Sequence, residues 1–190
     1  MIVNPQVNSG EGVDIKKRQL MINSLKLLIA IILNLFGFPM TQKFDGAWLL
    51  GERRSEAKDN SFHLFKYIRE SHPSEKVFYI LEKDAIQKIK LDPYGNVLIH
   101  NSLQHYIAFL RAQKLILSFQ SSTFPDSRII WYWYRLKLIR KKVVMLRHGI
   151  IKDYLDHYVY GRKFKYDLFV SGAKREQDFF ISQLGYPPCV

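Results

Sequence analysis

Polar and apolar positions divide the chain into three zones. Residues 1–19 are polar and lack periodicity, and Asn4-Pro5 and Ser9-Gly10-Glu11-Gly12 carry turn signals, so a disordered lead-in is expected there. Leu20 to Phe38 is strongly apolar and follows the basic run Lys16-Lys17-Arg18. Its polar or small interruptions, Asn23, Lys26, Ala30, Asn34 and Gly37, are spaced 3, 4, 4 and 3 residues apart and fall on one stripe of a helix. The remaining surface is Leu, Ile and Phe. This pattern predicts an amphipathic membrane-associating helix over 20–38, lying in a lipid interface with the preceding cations near anionic headgroups. A helix packed on the protein's own sheet is the competing reading. A membrane span is served less well, because Asn23, Lys26 and Asn34 interrupt it, and no small-x-small site follows for a signal peptide.

Beyond Pro39 short apolar runs alternate with helical patterns. Strands are expected at 47–50, 77–81, 96–99, 114–117, 143–146 and 167–170. Asp59-Asn60-Ser61 caps a helix that places Phe62, Phe65 and Ile68 on one face and stops at His72-Pro73. Further helices are expected over 102–112, over the aromatic stretch 129–140 and over 174–184. Strands apolar on both faces that alternate with helices imply a parallel sheet covered on each side. The fold class is therefore α/β, a Rossmann-like parallel sheet flanked by helices over 39–190.

Composition narrows this picture. With 47% hydrophobic and 24% charged residues, the 190-residue chain has the makings of a core, which excludes disorder, collagen and coiled coil for the whole. The lone Cys189 rules out an internal disulfide. Twenty-nine Lys and Arg against 17 Asp and Glu give a net charge of +12, which calls for nucleic acid, a phospholipid surface or a phosphorylated substrate. Nucleic acid is the least favoured of these. Trp131, Tyr132, Trp133 and Tyr134 would suit base stacking, but four consecutive aromatics cannot share a face, and core plus membrane-interface placement fits better.

In an open parallel sheet, ligands bind beyond the carboxyl ends of the strands. That rule selects Gly51-Glu52-Arg53-Arg54, His100, Ser118 and Gln120, Arg147-His148-Gly149, and Ser171-Gly172. His148 stands out, because an imidazole in a glycine turn at a strand end suits a general base that takes a proton from a hydroxyl. A structural His bonding a loop carbonyl has the same spacing. From Arg135 to Lys152 seven Lys and Arg occur without an acid, which reads as a solvated face or as phosphate or headgroup binding. His63, His72, His105 and His157 show no ligand spacing and receive no role, and no metal site is expected. No Walker loop, GxGxxG or GxSxG occurs in the sequence.

Several stretches in order resemble the CDP-glycerol glycerophosphotransferase family, the bacterial enzymes that prime or polymerise teichoic-acid-like and capsular poly(polyol phosphate). They are Trp48-Leu49-Leu50-Gly51-Glu52-Arg53, Ala57-Lys58-Asp59-Asn60-Ser61, Tyr94-Gly95-Asn96-Val97, Leu146-Arg147-His148-Gly149-Ile150-Ile151-Lys152-Asp153 and Asp167-Leu168-Phe169-Val170-Ser171-Gly172-Ala173. The resemblance implies the amino-terminal, acceptor-side domain of a two-domain GT-B transferase. His148 would deprotonate the acceptor hydroxyl, which attacks the β-phosphate of CDP-glycerol and expels CMP. Glu52, Arg53, Asp59 and Asn60 match positions near the cleft, with Ser118, Arg147, Gly149, Lys152 and Ser171 as further substrate-binding candidates. No cofactor is implied beyond the CDP-glycerol donor. The implied partner is a lipid-linked glycerol phosphate acceptor at the cytoplasmic face of the membrane, where the protein would be peripheral. Arg147 departs from the family, which usually has Gln or Trp there. The family also continues beyond Leu184-Gly185-Tyr186-Pro187-Pro188-Cys189-Val190 into a nucleotide-binding domain, so an amino-terminal half with negligible activity alone is expected. The competing expectation is a non-catalytic basic module that docks on anionic membrane, on a second copy, or on a partner supplying the other half.

Overall fold

A computed structural model of the chain describes residues 9–119, 122–146 and 166–184. Six strands, β1 (Trp48–Gly51), β2 (Val77–Leu81), β3 (Val97–Ile99), β4 (Lys114–Leu117), β5 (Lys142–Met145) and β6 (Leu168–Phe169), make one sheet in the order β3-β2-β1-β4-β5-β6. Every neighbouring pair is parallel. Because strand side chains alternate, Leu49, Phe78, Ile80, Leu115 and Val143 feed one core, while Leu50, Tyr79, Leu81 and Ile116 feed another. Both faces are covered, which is why these strands read as unbroken apolar runs.

Among the described residues the α-helices are α1 (Ser9–Leu35), α2 (Pro39–Gln42), α3 (Asn60–Ser71), α4 (Leu103–Arg111), α5 (Arg128–Arg135) and α6 (Lys174–Leu184), with short 3-10 turns at Ile86–Lys90 and Asp92–Tyr94. Phe65 and Ile68 of α3 are buried in the second core, while Leu27 and Ala30 of α1, Tyr106 to Phe109 of α4 and Ile130 of α5 are buried in the first. The chain winds outward from β1 to β3, then returns to the other side of β1 and continues to β6. The switch point of the sheet is therefore the β1–β4 pair.

Two expectations need correction. The helix expected from 20 begins at Ser9, so residues 9–19 are helical rather than a disordered lead-in. The aromatic helix expected over 129–140 ends at Arg135, because Lys137 adopts φ 57°. Its N–H donates to Tyr134 O (3.0 Å) and that of Leu138 to Trp133 O (2.9 Å), the paired bonds of a Schellman stop with lysine in the usual glycine place. The other expected helices and strands occur within one or two residues of their predicted bounds.

The polar stripe of α1 turns toward the protein. Asn23 Nδ2 donates to Asp126 O (2.9 Å) and Lys26 Nζ to Asn101 O (2.8 Å). Arg111 bonds Asn34 Oδ1 (2.6 Å) and Asn34 O (3.0 Å). These contacts make α1 run alongside α4 in the same direction, from the carboxyl edge of the sheet to the amino edge. Its outer side is apolar and open: Met21 is 69% exposed and Leu35 79%, with Leu25, Leu28 and Ile32 also exposed.

Candidate functional site

The carboxyl ends of β1 and β4 are drawn together by a small hydroxyl network. Ser61 Oγ donates to Gly51 O (3.0 Å), so Ser118 supplies the hydrogen in the 2.7 Å contact between the two hydroxyls. Ser118 Oγ then accepts from the N–H of Ser61 (2.8 Å). Ser118 is buried with its hydroxyl engaged in the fold, and it ties β4 to the first turn of α3. Gly51 is closely approached: a Cβ there would meet the side-chain atoms Ser122 Oγ and Thr123 Cγ2 at 3.2 Å, and these would have to give by a few tenths of an ångström.

Glu52 follows and is 2% exposed. One carboxylate oxygen accepts from the N–H of Lys58 (2.6 Å), the other from that of Asp59 (2.9 Å). Burial pushes its carboxyl above the usual range, although the two N–H donors oppose the shift. Glu52 thus folds residues 53–59 back on themselves and sets the start of α3. Asp59 is the N-cap and accepts from the N–H of Asn60 (2.9 Å). Within this loop Arg53 is more than half exposed; its guanidinium lies 5.1 Å over the Phe119 ring and 3.8 Å from Glu56, which also pairs with Lys58 at 3.3 Å. The loop offers two partly solvated cations beside a helix start, an arrangement suited to an anionic ligand.

Arg54 turns the other way and grips Asp126 through two bonds of 3.0 and 2.5 Å. Burial raises the Asp126 carboxyl, but the bonds from Arg54 and Asn101 outweigh it and hold the group below its ordinary range. His100 follows β3 with Nε2 at 3.1 Å from Phe124 O, so that nitrogen carries the proton, and burial followed by the charge of Arg54 lowers its pKa. His105 is wholly buried. It accepts from the N–H of Asn101 (3.1 Å) through Nδ1 and donates to Thr123 O (3.1 Å) through Nε2, and burial depresses it to about 3. It is a structural histidine.

The structure therefore brings Glu52, Arg53, Asp59, Asn60 and Ser118 together. Ser171 is half-buried at the end of β6, three strand spacings from β1, roughly 14 Å across the sheet. Arg147, His148, Gly149 and Lys152 lie outside the described residues. The chain leading to them is described as far as Leu146, whose N–H donates to Leu117 O (2.7 Å) and whose O is 3.5 Å from Asn60 Nδ2. The strand-end rule picks out Arg54 with the rest of the loop after β1 but gives no sign of its partner, and sequence reasoning passed over Asn101 and Asp126. Asp126 closes the Ser-Ser-Thr-Phe-Pro-Asp turn after β4, a place where a lone acid among many cations is a usable signal.

The fold resembles a structure of the wall teichoic acid polymerase TagF soaked with CDPG, with a TM-score of 0.52 at 10% identity, covering 89% of this chain and 45% of that one. The minor teichoic acid biosynthesis protein GgaB of Bacillus subtilis (strain 168) is 29% identical over 136 residues, 68% of this chain and 14% of GgaB. The chain thus spans less than half the length of either relative. The family model for CDP-glycerol:poly(glycerophosphate) glycerophosphotransferase matches residues 35–183, which includes every strand and the whole candidate edge. On that match, the chain belongs to the CDP-glycerol:poly(glycerophosphate) glycerophosphotransferase family.

Proposed function

We propose that this chain supplies the acceptor-side part of a glycerophosphotransferase. It would present a membrane-linked acceptor to a CDP-glycerol, or related CDP-polyol, donor in teichoic acid or capsule synthesis at the cytoplasmic membrane face. The observation that carries this reading is the gathering of Glu52, Arg53, Asp59 and Asn60 at the β1–β4 switch point, inside the span of the family match. His148 takes the proton of the acceptor hydroxyl, whose oxygen attacks the β-phosphorus. The bond to the CMP oxygen breaks and CMP leaves with the electron pair. Arg53 meets phosphate charge on the acceptor, and Glu52 acts indirectly by shaping the loop that carries Arg53. Because phosphoryl transfer draws most of its stabilisation from groups that contact the donor phosphates, the acceptor-side assignment predicts little CMP release from residues 1–190 assayed by themselves.

The test is acceptor preference. Vesicles bearing lipid-linked oligo(glycerol phosphate) should bind more tightly than phosphatidylserine vesicles of equal charge, and Arg53→Ala should remove the preference. Equal affinity for both vesicles would sink the acceptor-side assignment. Release of CMP from CDP-glycerol by the chain alone, lost in His148→Ala, would replace it with a self-sufficient enzyme.

A specific observation favours membrane docking as part of the same reading. The α1 window Lys17–Leu35 has mean hydropathy 1.4 and is only 17% buried, and its polar side is already taken up by the fold. An apolar side left open along such a helix, with Lys16, Lys17 and Arg18 just before the apolar stretch, suits lying in an anionic lipid interface.

A further inference from the structure

Asp126 sits where α1, α4, the exit of β3 and the loop after β1 meet. Its carbonyl oxygen accepts from Asn23 Nδ2 (2.9 Å) and from Tyr106 Oη (3.3 Å). Its carboxylate takes the two bonds of Arg54 and one from Asn101 Nδ2 (2.9 Å), and its own N–H returns a bond to Asn101 Oδ1 (2.8 Å). Asn101 is in the left-handed region at φ 59°, and its carbonyl receives Lys26 Nζ (2.8 Å). Two α1 side chains less than one turn apart therefore close on the Asn101–Asp126 pair, and that pair holds the guanidinium next in sequence to Arg53.

Packing alone does not call for this. Leu27 and Ala30 already seat α1 on α4, and a buried Asn contributes little to adhesion that an apolar residue would not. A buried amide does dictate where its partner must stand. We propose that Asp126 is a positioning residue that transmits the seating of α1 to Arg54 and so sets the Gly51–Asp59 loop. This rests on the acceptor-side reading of that loop. It deepens that reading, because lipid contact on the outer side of α1 then orders the residues that meet the acceptor.

The loop amides report on this directly. The N–H of Glu56 is bonded to Arg53 O (2.8 Å), that of Ala57 to Gln87 Oε1 (2.7 Å), and those of Lys58 and Asp59 to Glu52. The experiment is hydrogen exchange of these amides in the full chain, without vesicles, for Asn23→Ala, Arg54→Ala and the double variant. Arg54→Ala, which loses a charge-assisted pair, should speed exchange about tenfold or more, and Asn23→Ala, which loses one neutral amide–carbonyl bond, by about three- to tenfold. The double variant should go no further than Arg54→Ala alone, because both act through Asp126, and β2 amides should stay as they were. Asp126→Asn keeps both carbonyl bonds and loses the ion pair, so it should copy Arg54→Ala and covers the case in which Asn23→Ala unseats α1. Additive effects, or an Asn23→Ala effect confined to α1, would overturn the proposal.

A second arm adds vesicles of phosphatidylcholine and phosphatidylglycerol. Slower loop exchange on the vesicle, abolished by Asp126→Asn while co-sedimentation persists, supports the coupling. Binding with unchanged loop exchange overturns it. Absence of binding removes the lipid reading of α1 and leaves the solution cycle to decide the role of Asp126. Loss of acceptor preference with the cycle intact removes the acceptor-side reading alone.

Discussion

Helix α3 turns Phe65 and Ile68 onto the sheet and leaves His63 and Glu70 in water, whereas α1 turns Asn23, Lys26 and Asn34 inward and leaves Met21, Leu25, Leu28 and Ile32 outside. The two helices cover opposite faces of one sheet. For α3, hydrophobic burial supplies the hold and the cap at Asp59 fixes the start. For α1, hydrogen bonds supply much of the register, and its apolar surface is left over. The difference teaches that amphipathicity does not say which side of a helix faces the protein. Partners on the neighbouring elements decide that, here Asp126, Asn101 and Arg111.

The largest expected effect tests the α3 side. Phe65 is fully buried, with its ring centroid 5.4 Å from that of Tyr79 and 6.4 Å from that of Tyr94. Phe65→Ala should cost about 3–5 kcal/mol in denaturant unfolding, from lost transfer energy plus the cavity. A cost below about 1 kcal/mol would mean that α3 is not held by its apolar side, and the contrast with α1 would fall.

On the α1 side the polar seam makes stability depend on pH. His105 titrates near 6.5 when unfolded and at about 3 when folded, so the unfolded chain binds the proton first and acid favours unfolding. The contribution is intact above pH 6.5 and is lost as the pH falls toward 3. Between pH 6.5 and 5 the loss should be about 2 kcal/mol, read from unfolding curves at each pH. His105→Gln should flatten that slope. An unchanged slope would show that the acid sensitivity arises elsewhere.

How much of this was legible beforehand follows the same division. Strands buried on both faces announce themselves as apolar runs, and β2 and β4 begin and end where the sequence pattern put them. Glu52 and Arg53 follow from the strand-end rule and from the family resemblance, whereas Asp59 and Asn60 enter as candidates through the resemblance alone, and all four lie at one edge of the sheet. The direction of α1 was not legible, because the partners of its stripe lie 75 to 103 residues away in sequence. Asp126 was missed for the same reason: its importance comes from what converges on it, and periodicity carries no such signal. The early stop of α5 was hidden because lysine is not a residue that announces a left-handed turn.

A smaller effect sharpens the α1 half of the contrast. Replacing Leu25, Leu28 and Ile32 together with Gln should leave stability nearly unchanged, since these side chains are exposed in the folded chain. Co-sedimentation with phosphatidylglycerol vesicles should fall by about tenfold or more, as three apolar side chains no longer enter the interface. If stability drops by several kcal/mol instead, the outer side of α1 is packed against protein in solution, and a second copy or another segment covers it.

The smallest change is at the end of α5, on the same side of the sheet as α1. Lys137 closes that helix at φ 57°, where a side chain costs about 1–2 kcal/mol and glycine costs little. The side chain is exposed, so Lys137→Gly removes strain without opening a cavity and should stabilise the fold by about 1 kcal/mol in denaturant unfolding. The same variant asks whether lipid contact extends beyond α1. Leu136 and Leu138 flank Lys137 and are both exposed, and Arg135 and Arg140 are close by in sequence. If this turn enters the interface with α1, the gain in stability should come with vesicle binding weakened by the loss of one cation, about 1 kcal/mol at low salt. A stabilised variant that binds as before would confine the lipid-facing surface to α1 and leave the contrast with α3 to that one helix.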